Sequence, residues 1–358
     1  MTKHVEILES VKYGVAILTL NRPANLNAIN MAMFHEIWQL LTDWADDPSV
    51  NCVVVRGAGS KSFCAGGDVL AVVENRGDKA FMHEVYRCEY VVDQLIHRYP
   101  KPFIPLMDGI VMGGGAGISV HAQERRVVTE RTIFAMPETA LGLFPDVGAS
   151  HFLSRAPNAI GMYMGLTGTR LNAADTIFSG IADHCVPSNS LENLIDALHS
   201  GEDPDRAIKR FEVDPGPANL KVEAPAIERC FGVESLHDVI AQLEEEDGDW
   251  SRNTIDLIRS MCPFSQALTF KNIQYAAGCS LEECLITDFR LALRLMDRDD
   301  YFEGARAILI DKDRRPYWNP KTIETVNLKQ IDDCFAPLDN EDLSFDWLHG
   351  LRQWWITL

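Results

Sequence analysis

The sequence predicts an α/β fold, because strand signals and helix signals alternate along the first two hundred residues. Residues 15–20 (VAILTL) and 52–56 (CVVVR) are short apolar runs bounded by turn residues, which is typical of buried strands. Between them Asn30 can cap a helix whose apolar residues share one face: Phe34, Ile37, Trp38, Leu41 and Trp44. This order indicates helices layered on a sheet.

A longer helix and a third strand follow. Residues 79–99 predict a helix, because Val85, Cys88, Val92 and Leu95 recur at helical spacing and a proline comes next. Residues 101–108 (KPFIPLMD) are strand-like but contain two prolines. Since proline has no N–H to donate, we expect an edge strand or a strained approach here.

The C-terminal part of the chain predicts a mainly helical region. Composition changes after about residue 187, and beyond Trp250 apolar residues fall at helical spacing. One stripe contains Leu281, Cys284, Leu285, Asp288, Leu291, Ala292 and Leu295. We therefore divide the chain into an α/β core over residues 1–200 and a helical region over residues 201–358.

Residues 339–358 carry a further apolar face at helical spacing, made of Trp347, Leu348, Leu351, Trp354 and Trp355. An apolar face of this kind needs a partner, so we expect it to pack on the core or on another subunit. A homo-oligomer is therefore one expectation.

The balance of charge argues against nucleic-acid and membrane partners. The 358 residues contain 33 Lys and Arg against 52 Asp and Glu, a formal net charge of −19. Such a surface repels phosphate backbones and anionic membranes. The longest uncharged stretch, residues 109–123, is too short and too rich in glycine to span a bilayer.

Cysteine and histidine usage predicts neither disulfides nor a metal site. The nine cysteines are scattered and form no CxxC pair, which suits reduced thiols in a reducing compartment. The histidines show no metal-ligand spacing. The N-terminus has no signal-peptide or transit-peptide pattern, so a cytoplasmic location is expected, or the mitochondrial matrix in a eukaryote.

Two glycine-rich turns each follow a strand signal. Residues 112–117 (MGGGAG) precede a helix predicted to open at Ile118, and they fail the dinucleotide, P-loop and esterase-elbow motifs. Taken alone, an anion site and a simple packing turn are equal alternatives here. Residues 63–68 (FCAGGD) form the second turn, and two such turns could aim two backbone N–H groups at one oxygen, as in an oxyanion hole.

Three acids lie in or beside apolar sequence. Glu138 and Asp146 each follow a proline within an apolar stretch, and buried carboxyl groups are costly unless they are paired or used. A functional role is therefore favoured over helix capping. Glu89 borders the apolar stripe of its helix, and spacing alone would make it a surface ion-pair residue.

Three motifs in this order resemble the crotonase (enoyl-CoA hydratase/isomerase) superfamily: residues 21–23 with 27–29 (NRP, NAI), residues 63–68, and residues 108–109 with 113–115 (DG, GGG). The resemblance implies a spiral of ββα units, an acyl-CoA thioester substrate and a C-terminal helical region that completes the acyl-CoA site. It also implies an oxyanion hole made by the N–H groups of Gly67 and Gly114. Ala65 would lie near the adenine of CoA, with Asp68 among the substrate-binding residues.

Within the superfamily the closer resemblance, over roughly residues 3–335, is to the 3-hydroxyisobutyryl-CoA hydrolases. It is carried by residues 89–90 (EY), 99–102 (YPKP), 119–121 (SVH), 135–138 (AMPE), 142–148 (GLFPDVG), 166–168 (LTG), 302–307 (FEGARA) and 309–313 (LIDKD). It implies hydrolysis of a short branched β-hydroxyacyl-CoA, above all 3-hydroxyisobutyryl-CoA of valine breakdown. CoA belongs to the substrate, and no cofactor is implied.

The same resemblance places the substrate site at Glu89, Gly114, Glu138 and Asp146. Glu138 would be the general base to water, or a nucleophile that forms an acyl-enzyme anhydride. Asp146 would orient or tune Glu138, and Glu89 would shape the site or bind the substrate hydroxyl.

Two other functions remain as alternatives: an enoyl-CoA hydratase or isomerase acting on a short-chain acyl-CoA, and a non-catalytic acyl-CoA-binding protein. Hydratases of this superfamily hold water between two glutamates, and the first lies three residues past the oxyanion glycine. Here that residue is Gly117, so only one of the two acids is present, at Glu138. The three acids Glu89, Glu138 and Asp146 argue against a merely binding protein.

Overall fold

The computed structural model describes residues 5–338 and 341–345. Its strands form two sheets. The larger has the order β1-β2-β3-β5-β7-β9 and the smaller the order β4-β6-β8. The strands are β1 (Ile7–Lys12), β2 (Val15–Leu20), β3 (Cys52–Gly57), β4 (Ser62–Cys64), β5 (Phe103–Met107), β6 (Ile110–Met112), β7 (Val127–Val128), β8 (Ile133–Ala135) and β9 (His184–Cys185).

Consecutive strands alternate between the two sheets. After the antiparallel pair β1–β2, each of β3, β5 and β7 lies in the larger sheet and is followed by β4, β6 or β8 in the smaller one. All other pairings are parallel. Each ββα unit therefore adds one strand to each sheet, and the following helix returns the chain to the larger sheet. The expected spiral of ββα units is confirmed.

The helices of the first half include the two that the sequence predicts. The predicted cap at Asn30 is present, since its side chain accepts a hydrogen bond from the Met33 N–H. These helices are α1 (Met31–Asp46), α2 (Val69–Glu74), α3 (Lys79–His97), α4 (Gly114–Val120), α5 (Ala149–Leu153), α6 (Ile160–Thr167), α7 (Ala173–Phe178) and α8 (Leu191–His199).

Beyond residue 200 the described chain is helical. The elements are α9 (Pro204–Phe211), α10 (Leu220–Phe231), α11 (Leu236–Glu245), α12 (Asp249–Ser260), α13 (Pro263–Ala276), α14 (Leu281–Met296), α15 (Asp300–Ala305), a π-helical turn at Arg306–Ile310 and α16 (Leu328–Cys334). Helices α8 and α9, on either side of the predicted boundary at residue 200, bury Leu194 and Ile208 against one face of the larger sheet. The later helices join the main core.

Two local expectations were wrong. Strand β5 is not an edge strand, because it lies between β3 and β7. Its proline is tolerated there, since the strand pairs with β3 through Phe103–Pro105 and only afterwards, through Leu106 and Met107, with β7. Helix α4 begins at Gly114 and not at Ile118, so most of the glycine run is helical.

The glycines of α4 are required by close packing. A methyl group on Gly115 would lie 2.3 Å from the carbonyl oxygen of Cys64. This contact holds the start of α4 directly against the end of β4, and it brings the two predicted glycine turns together.

Three further observations concern the cysteines, the helix lengths and the tail. All nine cysteines are unpaired and eight of them are buried. No described helix is long and apolar enough to cross a membrane. The aromatic residues of the predicted tail face lie outside the described residues, but Phe345 is buried and Asp342 accepts hydrogen bonds from Arg290 at 2.6 Å.

Candidate active site

The predicted site residues follow the carboxyl ends of three neighbouring parallel strands. In the smaller sheet β4 leads to Gly67, β6 leads to Gly114 and β8 leads to Glu138. Because parallel strands end at the same edge of a sheet, these turns meet although they are far apart in sequence. Asp146 follows Glu138 after a short 3-10 turn, and Glu89 reaches the same place from α3.

An open cavity of about 690 Å³ lies at this edge. Its wall contains every site residue that the sequence predicts: Ala65, Gly67, Asp68, Glu89, Gly114, Glu138 and Asp146. Among the described residues, Tyr301 alone reaches this wall from the C-terminal helical region.

Gly67 and Gly114 present free backbone N–H groups to the cavity. Gly114 is the first residue of α4, so no carbonyl of its own helix can accept from it, and neither N–H donates a hydrogen bond within the described residues. The Gly67 nitrogen lies 3.3 Å from the point that a Gly114 Cβ would occupy. Two donors this close can share one oxygen, as an oxyanion hole requires.

The same point explains why Gly114 has no side chain. A methyl group there would lie 2.4 Å from Glu89 Oε1, and one on Gly67 would lie 4.0 Å from Glu89 Oε2. The Glu89 carboxyl group is thus held beside both donors. The expectation from spacing alone, a surface ion pair, is corrected by its burial.

The wall near CoA's expected adenine site is braced by the first motif. Asp68 forms an ion pair with Arg22 at 2.9 Å and caps α2 by accepting from Ala71 N–H. The Ala65 N–H donates to the carbonyl of Leu26 at 3.0 Å. The motif at residues 21–29 therefore shapes the turn that carries Gly67.

Glu138 and Asp146 are both buried, but their surroundings differ. Asp146 Oδ2 accepts a hydrogen bond from the Tyr90 hydroxyl at 2.8 Å, whereas Glu138 Oε2 has no partner among the described residues. A hydrogen bond to a carboxylate favours its charged form. Asp146 is therefore the better place for a negative charge.

The pKa values follow this difference. Burial raises the pKa of Asp146 to about 6, against the hydrogen bond from Tyr90 that lowers it. Burial, followed by repulsion from Asp146, raises the pKa of Glu138 and of Glu89 well above their usual range. Asp146 therefore ionises first, and its charge keeps its neighbours protonated.

Hydrogen bonds from other elements fix the turn that carries Asp146. The Gly148 N–H donates to Asp288 Oδ2 at 2.8 Å, and Asn272 donates to the other oxygen of that carboxyl group at 2.9 Å. His121 Nε2–H donates to the carbonyl of Val147 at 2.7 Å. Sequence analysis missed this role of Asp288, although an acid within an apolar helical stripe was a visible signal.

Asp93 occupies the space beside Gly117. A methyl group on Gly117 would lie 2.6 Å from Asp93 Oδ1. Asp93 is fully buried, and neither carboxyl oxygen has a hydrogen-bond partner in the described chain. Burial raises its pKa far above the usual range, so it is a neutral acid. A side chain at position 117 would therefore require the Asp93 carboxyl group to move.

The described residues contain no group of three His, Cys, Asp or Glu side chains arranged to bind a metal ion.

Comparisons with known proteins agree with this geometry. The family model described as enoyl-CoA hydratase/isomerase matches residues 15–335. The mitochondrial 3-hydroxyisobutyryl-CoA hydrolase of Danio rerio is 38% identical over 93% of this chain and 90% of its own length. The 3-hydroxyisobutyryl-CoA hydrolase 1 of Arabidopsis thaliana is 39% identical over 96% of this chain and 94% of its own length.

Two crystal structures are similar over nearly their whole length. One is described as a carnitinyl-CoA dehydratase from Mycobacterium thermoresistibile, with a TM-score of 0.91, 35% identity and coverage of 96% of this chain and 99% of that one. The other is described as an enoyl-CoA hydratase from Rhodobacter sphaeroides, with a TM-score of 0.89, 36% identity and coverage of 95% and 100%.

Proposed function

The chain belongs to the enoyl-CoA hydratase/isomerase family, and on that premise we propose that it hydrolyses a short branched β-hydroxyacyl-CoA thioester, 3-hydroxyisobutyryl-CoA, and releases free CoA. Relatives named for this reaction share 37–39% identity with over 90% of the chain. This activity would place the protein in valine breakdown.

One observation separates this reaction from water addition to a double bond. The side chain of Asp93 fills the place that a second glutamate would need at Gly117. Only Glu138 remains of the expected glutamate pair, with Asp146 added to it. This supports attack on the thioester carbonyl over the two-glutamate route, although the two similar crystal structures carry hydratase and dehydratase descriptions.

The oxyanion hole would hold the thioester carbonyl oxygen between the N–H groups of Gly67 and Gly114. Attack on the carbonyl carbon moves negative charge onto that oxygen, and each backbone donor then contributes about 10²–10³ in rate. Because both donors are fixed by the packing of α4 against β4, they need no reorganisation during the reaction.

Glu138 and Asp146 would act as a pair that holds one negative charge. With the charge on Glu138, its carboxylate takes a proton from the attacking water or attacks the carbonyl carbon itself. Collapse of the tetrahedral intermediate breaks the C–S bond, and the CoA thiolate takes up the proton from the pair. In the nucleophile route this leaves an anhydride between the acyl group and Glu138, and a water molecule must then cleave that anhydride to restore the carboxylate. The acid and CoA are then released.

The test is a thiol-release assay across short acyl-CoA thioesters, with crotonyl-CoA hydration measured in parallel. We expect release of CoA from 3-hydroxyisobutyryl-CoA at the highest kcat/KM and no hydration of crotonyl-CoA. Hydration without CoA release would favour the hydratase alternative, and no turnover of any thioester would favour a binding protein.

The cellular location and the oligomeric state remain predictions. The animal relatives are named mitochondrial, which fits the matrix alternative better than the cytoplasm.

A further inference from the structure

Tyr301 is the one described residue of the cavity wall that comes from the C-terminal helical region. It lies in α15, within the C-terminal helical region, and its ring packs edge-on against Phe302 with 5.6 Å between ring centres. Helix α15 is pressed against the segment that carries Glu138, since a methyl group on Gly304 would lie 2.4 Å from the carbonyl oxygen of Leu141. The position of Tyr301 is therefore fixed.

The hydroxyl group of Tyr301 has no protein partner. It makes no hydrogen bond within the described residues, and its oxygen is not sealed in the interior. Tyr301 is only 2% exposed and lines the cavity, so we infer that the accessible part of its hydroxyl oxygen faces the cavity. A buried tyrosine hydroxyl normally finds a partner, so this one is open to a ligand.

The other two tyrosines near the site are already engaged. Tyr90 donates to Asp146 at 2.8 Å, and Tyr86 donates to the sulfur of Met296 at 3.5 Å. Tyr86 also lines the cavity, so it forms a natural control for Tyr301.

Tyr301 holds its proton firmly. Burial and the nearby carboxyl groups of Asp146, Glu89 and Asp68 raise the pKa of its hydroxyl well above the usual range. The group is thus a hydrogen-bond donor at any working pH. The cavity wall also includes apolar side chains, among them Phe34, Val72 and Val85.

We propose that Tyr301 determines specificity by donating its O–H to the hydroxyl group on the acyl chain of the substrate. This inference rests on the proposed hydrolysis of a β-hydroxyacyl-CoA. An acyl chain without that hydroxyl leaves the tyrosine O–H unpaired in a cavity from which the substrate has displaced water. An unpaired buried polar group is costly, and the deoxy substrate is disfavoured for that reason.

The test compares 3-hydroxyisobutyryl-CoA with isobutyryl-CoA, which differs only in the hydroxyl group. For each, kcat/KM is measured with the wild type, Tyr301→Phe and Tyr86→Phe. In Tyr301→Phe we expect the preference for the hydroxylated substrate to fall about 10- to 100-fold, because kcat/KM falls for 3-hydroxyisobutyryl-CoA and rises for isobutyryl-CoA, whose complex no longer leaves an O–H unpaired. The preference of Tyr86→Phe should match that of the wild type.

Three results would count against the proposal in different ways. An unchanged preference in Tyr301→Phe overturns it and directs attention to Glu89 as the hydroxyl ligand. A wild type that hydrolyses both thioesters equally well overturns it too, because there is then no preference to explain. A wild type that hydrolyses neither refutes the proposed function itself.

Discussion

The α/β spiral and the C-terminal helical region contribute to the cavity in unequal ways. Among the described lining groups, the spiral supplies the two glycine N–H donors and the acids Glu89, Glu138 and Asp146. Of the described helical region only Tyr301 lines the cavity. The proposed reaction and the proposed choice of substrate would therefore depend on different parts of the chain.

The helical region forms hydrogen bonds to both ends of one segment, residues 138–148, which carries both Glu138 and Asp146. Cys262 N–H donates to the carbonyl of Thr139 at 3.0 Å, near one end of the segment. Asp288 accepts from Gly148 at the other end. The placement of the two acids thus depends on residues more than a hundred positions away in the sequence. Substitutions in the spiral and in the helical region should therefore impair activity in different ways.

The largest effect is expected within the spiral, at Glu138. Glu138→Gln keeps the size of the side chain but removes the base, so kcat should fall by about 10²–10⁴. KM should change little, because the oxyanion donors are backbone groups. CoA release measures both. Glu84→Gln on α3 is the control, since Glu84 is half-buried outside the cavity wall. Near wild-type turnover in Glu138→Gln would make Glu89 the next candidate.

A smaller effect is expected at Asp288, in the helical region. Asp288→Ala removes the acceptor for Gly148 and lets the Asp146 turn shift, so kcat should fall about 10- to 100-fold. Asp288→Asn can still accept from Gly148, and its amide can donate to the free Oδ1 of Asn272 if that amide group turns over. Most of the activity should therefore return in Asp288→Asn. Equal losses in the two variants would show that Asp288 does not act through this hydrogen bond.

The pH dependence provides a finer comparison. If the proposed pair of Glu138 and Asp146 must hold one negative charge, kcat/KM should fall as the pH drops through about 6, where Asp146 takes up its proton. Tyr90→Phe removes the hydrogen bond that lowers this pKa, and the acid limb should move to higher pH. An unmoved limb would show that another group controls it.

The smallest effect concerns stability. The pKa of Asp146 is higher in the folded protein than in the unfolded chain, so the folded protein holds this proton more tightly. The folded protein is therefore more stable at low pH, where the carboxyl group is protonated, and it loses that stability as the pH rises through about 6. Asp146→Asn should therefore raise the Tm at pH 7, and the gain should vanish near pH 4. A lower Tm at pH 7 would indicate that the charge is stabilised by more than Tyr90.

Much of the fold and the site could be predicted from the sequence. The apolar runs at β2 and β3, the cap at Asn30 and the glycine turns are local signals, and the family motifs joined the turns into one site. The place of β5 could not be predicted, since a proline is compatible with an interior strand only where the pairing changes sides.

Other features depended on long-range packing. The start of α4 at Gly114 follows from contact with Cys64, which no local pattern shows. The roles of Asp288 and Tyr301 are set by helices that reach the site from more than a hundred residues away. The three acids were predicted, but the order in which they ionise depends on the hydrogen bond from Tyr90.

The packing of Asp93 against Gly117 constrains how this protein could evolve toward water addition. Gaining a glutamate at position 117 is a single replacement in the sequence, but the existing aspartate carboxyl lies 2.6 Å from where its first carbon would go. A side chain at position 117 therefore requires either that the Asp93 carboxyl group turns away or that position 93 becomes smaller. If position 117 changes first, its new side chain meets the Asp93 carboxyl group in the core. The two changes are therefore epistatic, because the effect of a residue at position 117 depends on the residue at position 93.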